Sequence, residues 1–236
     1  MQHTRWHSCS STNEGRMEQQ QVTVPIALGP GHDSPVVYRY FDQEQFADVL
    51  CERGVLRLSS LERCRVIEDA KRRDVGEATH LHHLAEERVD SAAKQARLAA
   101  FGFGAQPGDV FENCVVFRRI PDALLVCTAT RFSAALQTKF GKFCVEISRP
   151  ALALEYLVQG TMPNIPVKQA GCALVRYGER TSSGVFAQYP IGFMKPVIFE
   201  DEEEFRFMLV PKSLPLPPHP HDIAHPGLPT LCRRVA

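Results

Sequence analysis

Phe193 to Pro211, FMKPVIFEDEEEFRFMLVP, is the stretch whose reading decides the fold. It opens on a Lys-Pro step, Lys195 and Pro196, and runs apolar through Val197, Ile198 and Phe199. Five acidic residues follow without a break: Glu200, Asp201, Glu202, Glu203 and Glu204. The chain then enters Phe205 to Val210, rich in the Phe and Val that favour strands, and reaches Pro211. An acidic cluster is thus set directly against a strand of a sheet. On one extended strand Glu202 and Glu204 share a face, because the side-chain period is two. Arg206 follows on that face, with Phe205 and Phe207 on the other. The pattern suits a solvated loop or strand edge, or a Glu-x-Glu pair at the lip of a cleft.

Upstream of this stretch the chain reads as alternating elements. Cys172 to Tyr177 is a strand, and Phe186 to Ile191 is strand or loop. Pro150 is placed to start a helix over Ala151 to Gln159. A short helix over Ser133 to Phe140 leads through Gly141 into a strand, Lys142 to Ile147. Asn113 to Arg119 and Ala123 to Thr130 read as two strands joined by a hairpin at Ile120-Pro121-Asp122. Gly102 to Asp109 is a loop without the Lys-Ser/Thr helix start of a P-loop.

The folded domain is expected to begin near Pro35. VVYRYF, Val36 to Phe41, is a β-branched and aromatic strand with Arg39 in its middle. Asp42 reads as the N-cap of a helix over Gln43 to Arg53, with Gln45 as its capping-box partner. Gly54 ends that helix, and VLRLSS, Val55 to Ser60, is the second strand. Leu61 to Glu77 alternates Arg63, Arg65, Lys71, Arg72 and Arg73 with Glu62, Glu68, Asp69 and Asp74, which suits a solvated helix and turn. Glu77 to Ala100 is dense in helix formers and predicts a long helix or helix pair. On that helix His80 and His83 share a face, a weak metal signal because no carboxylate motif accompanies them.

Composition narrows the class. The chain has 236 residues, 44% hydrophobic and 23% charged, which suits a globular domain of ordinary core size. Lys plus Arg and Asp plus Glu are both 27, so there is no excess positive charge for non-specific nucleic-acid binding. None of the eight cysteines forms a C-x-x-C pair, and most sit in apolar runs, as buried free thiols do. No apolar run reaches signal-peptide or membrane-span length. A cytoplasmic, soluble protein with no metal and no membrane partner is expected. Residues 1–34 are polar and turn-rich and are expected to be disordered or loosely packed. The domain is expected over residues 35–212. From Pro211 to Pro229 seven of nineteen residues are proline, so residues 213–236 read as an extended tail. Both tails are expected to be dispensable.

Four pieces carry a family resemblance: YRYF with FADVLCERGVLRLSS, then SLERCRVIEDAKRRDVGEA, then LLVCTATRFSAALQTKFGKFCVEI, then KPVIFEDEEEFRF. In order, over about Val36 to Pro211, they resemble the ADP-ribosyltransferase-like superfamily, in particular a bacterial domain-of-unknown-function branch of that fold. The resemblance implies an α+β domain of curved antiparallel split sheets flanked by helices. It implies NAD as substrate, cleavage of the nicotinamide-ribose bond, and transfer of ADP-ribose to an unknown acceptor or to water. A fold of this type that binds a nucleotide or a protein partner without turnover is the alternative.

The resemblance also implies roles. Glu204 is expected to stabilise the oxocarbenium-like transition state. Glu202 is expected to orient or deprotonate the acceptor, with Glu203 the alternative in a shifted register. Arg39 matches the first-strand arginine that holds NAD phosphates or ribose, since a guanidinium fork suits paired oxygens. Tyr40 and Arg57 are expected beside it in cofactor binding. Ser59 and Ser60 are expected to hydrogen-bond the nicotinamide ribose or the catalytic Glu. The family's Ser-Thr-Ser triplet is absent there, while Thr128 and Thr130 offer another hydroxyl pair. Arg39 and Glu204 are expected in one cleft.

Overall fold

The computed structural model describes residues 24–66, 74–99, 104–183, 190–218 and 220–236. In chain order the elements begin with β1 (Ile26–Leu28), β2 (Val36–Phe41), α1 (Glu44–Arg53), β3 (Val55–Ser60) and α2 (Leu61–Val66). Next come β4 (Thr79–Arg88), α3 (Ala92–Ala99), β5 (Val110–Arg119) and β6 (Leu124–Ala129). Then follow α4 (Ala134–Phe140), β7 (Phe143–Ser148), α5 (Pro150–Thr161), β8 (Val167–Leu174), β9 (Arg176–Tyr177) and β10 (Thr181–Ser183). The last strands are β11 (Met194–Lys195), β12 (Glu204–Pro211), β13 (His221–Ala224) and β14 (Cys232–Arg234). The fold is mixed α+β and largely antiparallel, as expected. The chain forms two compact units: Met1–Val75, Pro121–Val175 and Asp201–Ala236 make unit 1, and Gly76–Ile120 with Arg176–Glu200 make unit 2.

Unit 1 is built on one nine-stranded sheet. Seven strands run in the order β1-β8-β12-β6-β2-β7-β14, and β3 joins β6 to β13 beside them. Only β1 against β8 is parallel within it. One face carries Val37, Leu58, Val126, Val145, Cys172, Phe205 and Phe207, packed with Leu50 of α1 and Leu154 and Leu157 of α5. The expected helix stops hold. Gly54 sits at φ 63, where its amide donates to Leu50 O at 3.1 Å. A Cβ there would collide with the His225 carbonyl oxygen, so glycine is required twice over. Ser133 Oγ accepts from Leu136 N at 3.1 Å and starts α4 as an N-cap. Asp42 does not cap α1. Gln43 holds that position without a side-chain cap bond, and Gln45 donates to Gln43 Oε1 instead.

The C-terminal tail is the largest correction. Residues His221–Ala224 pair with Leu58–Val55, and Cys232–Arg234 pair with Ile147–Val145. Ile223, Leu228 and Leu231 are buried in the main core. The prolines do not prevent this, because none lies inside β13 or β14. Pro215, Pro217, Pro218 and Pro220 precede β13, and Pro229 lies in a 3-10 turn over Leu228–Leu231, where its fixed φ fits. At the other end, Ile26–Leu28 pairs with Ala170–Cys172 rather than lying loose. Residues 1–23 of the expected N-terminal tail lie outside the described residues.

Unit 2 contains a three-stranded sheet, β10-β4-β5, and a two-stranded one, β11-β9. The long helix expected over Glu77 to Ala100 is instead β4 followed by α3. Nine cross-strand pairs to β5, from Thr79↔Arg119 to Arg88↔Val110, satisfy the β4 backbone and override the helix propensity of its Ala and Glu residues. The hairpin expected at Ile120-Pro121-Asp122 is also absent. β5 pairs with β4, while β6 pairs with β12, β2 and β3, and Pro121 marks the passage between units.

Candidate functional site

β12 lies between β6 and β8, so both its edges are paired and both its faces are covered. Alternation sends Phe205, Phe207 and Leu209 into the core and Glu204, Arg206 and Met208 to the opposite face. Glu204 stands across from Ala129, and Arg206 across from Cys127 on one side and Ala173 on the other. Glu204 is 4% exposed and Arg206 1%. Arg206 Nε donates to Glu204 Oε1 at 2.7 Å, and Nη2 donates to Oε2 at 3.2 Å. This is a forked guanidinium-carboxylate bond, the strong kind. Thr128 Oγ1 donates to Phe205 O at 2.7 Å and fixes the strand between the two residues.

The acidic run does not extend the strand. Pro196 precedes a 3-10 helix over Val197–Glu202, and Glu203 turns the chain at φ 44. Glu202 and Glu204 therefore do not share a strand face, which corrects the extended reading of Glu-x-Glu. The turn is tied down because Thr130 N donates to Glu203 O and Val175 N donates to Glu204 O, both at 2.9 Å. In unit 1 three cations meet the four carboxylates. Lys139 Nζ lies 3.0 Å from Asp201 Oδ1 and 3.2 Å from Glu202 Oε1. Arg131 Nε lies 2.6 Å from Glu203 Oε2. Arg206 holds Glu204. Two of these four, Glu202 and Glu204, are buried, while Asp201 and Arg131 are exposed at the rim.

The other expected site residues fall elsewhere in unit 1. Arg39 alternates with Val37 and Phe41, both in the main core, and its guanidinium sits 5.6 Å from the Phe41 ring. Arg39 Nη1 donates to Cys127 O at 2.6 Å. Its neighbour Tyr38 is the residue paired with Ala129, which in turn faces Glu204. Strand alternation therefore puts Arg39 and Glu204 on opposite faces of the sheet, and the expected shared cleft is not formed. Tyr40 lies on the Glu204 side, buried, accepting from Ser133 N at 2.9 Å and donating to Arg131 O at 3.1 Å. Burial, the largest cause, pushes the Tyr40 phenol up, so it stays protonated at neutral pH. Ser60 Oγ accepts from Arg63 N at 3.2 Å and steadies the start of α2. Ser59 Oγ lies 3.8 Å from Cys64 Sγ. Arg57 is exposed and forks onto Asp222 at 2.7 and 2.8 Å, clasping β13 to β3. The structure thus keeps Glu204 and Tyr40 on one face, and finds in Arg206, Lys139 and Arg131 the cations that balance the acidic run. Lys139 and Arg131 carry no pattern of their own in the sequence. Only the fold brings α4 and the β6 exit to the acidic turn.

Unit 2 holds a second set of buried polar groups: Glu77, His80, His82 and Lys195. On a strand His80 pairs in space with His82, not with His83, and their ring centroids are 4.4 Å apart. Burial, followed by the charges of Arg118 and Arg180, holds His80 below its ordinary value. Burial, then His80 and Arg118, pushes His82 down to about 4. Lys195 Nζ sits 5.2 Å from the Phe199 ring centroid, a cation-π contact. Among the described residues no three or more His, Cys, Asp or Glu are placed to hold a metal, and no helix is long and apolar enough to cross a membrane. No protein-family model, curated protein or solved structure matches the chain.

Proposed function

We propose that unit 1 is a nucleotide-binding module of the ADP-ribosyltransferase type, with NAD as its ligand and β12 at its centre. The observation that carries this reading is the buried fork between Glu204 and Arg206. A buried ion pair is weak support for stability, because desolvation offsets most of the attraction. Two ionised groups in the middle strand of a sheet point instead to a use for their charge. Arg206, on the Glu204 face, is 1% exposed and held by both Glu204 oxygens, so it orders the centre of the module, and the anion-holding role that the resemblance assigned to Arg39 passes to the rim. Arg131 at the rim adds an exposed guanidinium for a phosphate. Tyr40 anchors the Arg131 backbone and so places that rim.

Binding without turnover is the form of this reading that the geometry favours. A carboxylate that stabilises a developing ribose cation acts through its net charge. Arg206 occupies both oxygens of Glu204 and cancels that charge. Cleavage of the nicotinamide-ribose bond, with transfer to a protein, nucleic acid, small molecule or water, is the second reading. It is favoured by Glu202, a further buried carboxylate two residues from Glu204. Calorimetry with NAD, followed by a nicotinamide-release assay with cell lysate as acceptor source, tests both. Saturable binding with no release supports the module, and release that is lost in Glu204→Gln supports the transferase. Absence of NAD binding overturns both.

A further inference from the structure

β14 runs beside α1 on the core side of the unit 1 sheet. Its strand partners fix where its side chains point. Cys232 stands across from Ile147 and Arg234 across from Val145, and Ile147 and Val145 both belong to the main core. Cys232 and Arg234 therefore share that face. Arg234 reaches from it to α1, where Nη2 donates to Glu44 Oε1 at 3.1 Å and Nη1 donates to Asp48 Oδ1. On the helix Glu44, Asp48 and Cys51 form one stripe, at i, i+4 and i+7. The segment entering β14 meets the far end of the same helix. A Cβ on Gly54, the residue that ends α1, would lie 2.8 Å from Pro229 Cδ. From Pro229 to Arg234 the chain thus passes from Gly54 back to Asp48 and Glu44, and Cys232 comes alongside Cys51 between these two fixed points. Both thiols are half-buried against the main core, whereas Cys144 and Cys172 are buried outright.

We infer that Cys51 and Cys232 form a redox site, in which thiol–disulfide exchange with a small disulfide such as oxidised glutathione joins them and latches β14 to α1. One protein thiol, as its thiolate, attacks the small disulfide and releases one small thiol. The second protein sulfur then displaces the remaining small thiol and closes the S–S bond. Two protein thiols are oxidised, one small disulfide is reduced to two thiols, and the two protons end on those thiols. The latch secures the segment that carries β13, β14 and the buried Ile223, Leu228 and Leu231. It joins residues far apart in sequence, the case in which a cross-link most restricts the unfolded chain. Burial pushes the Cys51 thiol up, and burial followed by the neighbouring Cys51 pushes Cys232 up to about 12. Few thiolates are present at neutral pH, so the latch closes slowly and closes faster as pH rises.

The full chain incubated with oxidised glutathione, alkylated with iodoacetamide in denaturant and mapped as unreduced peptides tests the inference. A linked pair of peptides carrying Cys51 and Cys232 is expected, and dithiothreitol is expected to abolish it. Its formation is expected to quicken about tenfold for each unit of pH between about 7 and 8, as the thiolate fraction does below the thiol pKa. The oxidised chain is expected to melt roughly 5–10 °C above the reduced one. Cys51→Ala and Cys232→Ala are each expected to remove that shift, and Cys64→Ala to keep it. The peptide map is read on the parent chain and so does not depend on how the variants fold. Cys51 and Cys232 both left carrying the alkyl label or glutathione after oxidation overturns the inference. So does either one joined to a different cysteine.

Discussion

Unit 1 buries Glu204 and Arg206, unlike groups two residues apart on β12, and unit 2 buries His80 and His82, like groups two residues apart on β4. The spacing is the same and the physics is opposite. In unit 1 each group keeps its charge because the other supplies the counter-charge. In unit 2 no such exchange is possible within the pair, and burial resolves the conflict by holding both rings neutral. The surroundings differ too. The unlike pair rests on a strand whose other face is in the main core. The like pair rests on a three-stranded sheet beside a small cluster of Val89, Leu98 and Ala105. Unit 1 is thus expected to fail by losing a partner, and unit 2 by gaining a proton.

The largest expected effect breaks unit 1 from its edge. Cutting the chain after Lys212 removes β13, β14 and the buried Ile223, Leu228 and Leu231. Each such side chain is worth about 2–5 kcal/mol on truncation, and a domain has only about 5–15 in total. The shortened chain is expected to lose near-UV circular dichroism and protease resistance. Retention of a cooperative transition near the full-length temperature would show the segment to be an appendage.

Next comes the unlike pair itself. Arg206→Met leaves the Glu204 carboxylate buried and uncompensated, and is expected to cost about 3–5 kcal/mol. The double change Glu204→Leu with Arg206→Met removes both charges and is expected to recover most of that loss. Urea midpoints at an unchanged m-value give the comparison. A single change no worse than the double would mean that water already reaches the pair.

The like pair predicts acid lability. The unfolded His82 titrates near 6.5 and the folded one at about 4. Between those values the unfolded state binds more protons, so stability rises with pH across the window. The contribution is complete above pH 6.5 and is lost as pH falls towards 4. A loss of roughly 1–3 kcal/mol is expected from this group, seen first in hydrogen exchange of β4 and β5 amides. His82→Phe is expected to flatten that part of the profile. Equal acid sensitivity in the variant would remove the histidine from the explanation.

What the sequence could show follows from the range of the forces involved. β2, α1, Gly54 and β3 were legible because strand pattern, helix pattern and a C-cap glycine are local signals that agree with each other. The short helix before Gly141 and the Pro150 helix start were legible for the same reason. β4 was not, because THLHHLAEER has helix propensity and becomes a strand only through its pairing with β5. β13 and β14 were hidden by flanking prolines, whose positions outside the strands are visible only once the pairing is known. At the site, Glu204 and Arg206 were legible as neighbours on one strand face. The placement of Arg39 on the other face followed from a register that no local pattern encodes, Tyr38 against Ala129. Glu202 was misplaced because one positive φ at Glu203 breaks the alternation assumed for it.

The smallest expected effect supplies the control for both buried pairs. Arg57 and Asp222 form as good a fork as Arg206 and Glu204, at 2.7 and 2.8 Å, though they link β3 to β13 while Arg206 and Glu204 share β12. They differ in exposure, 54% and 39% of the side chains against 1% and 3%. The Asp222 carboxyl is held below its ordinary value chiefly by the hydrogen bond from Arg57. Water solvates either group if the other is lost, so geometry alone contributes little there. Arg57→Ala is expected to cost under about 1 kcal/mol, the range of surface pairs, with a further decrease in high salt. The same fork inside unit 1 is expected to cost several times more. Urea unfolding of Arg57→Ala beside Arg206→Met, at low and high salt, measures the ratio. Equal losses would show that fork geometry, and not burial, sets the strength of these pairs.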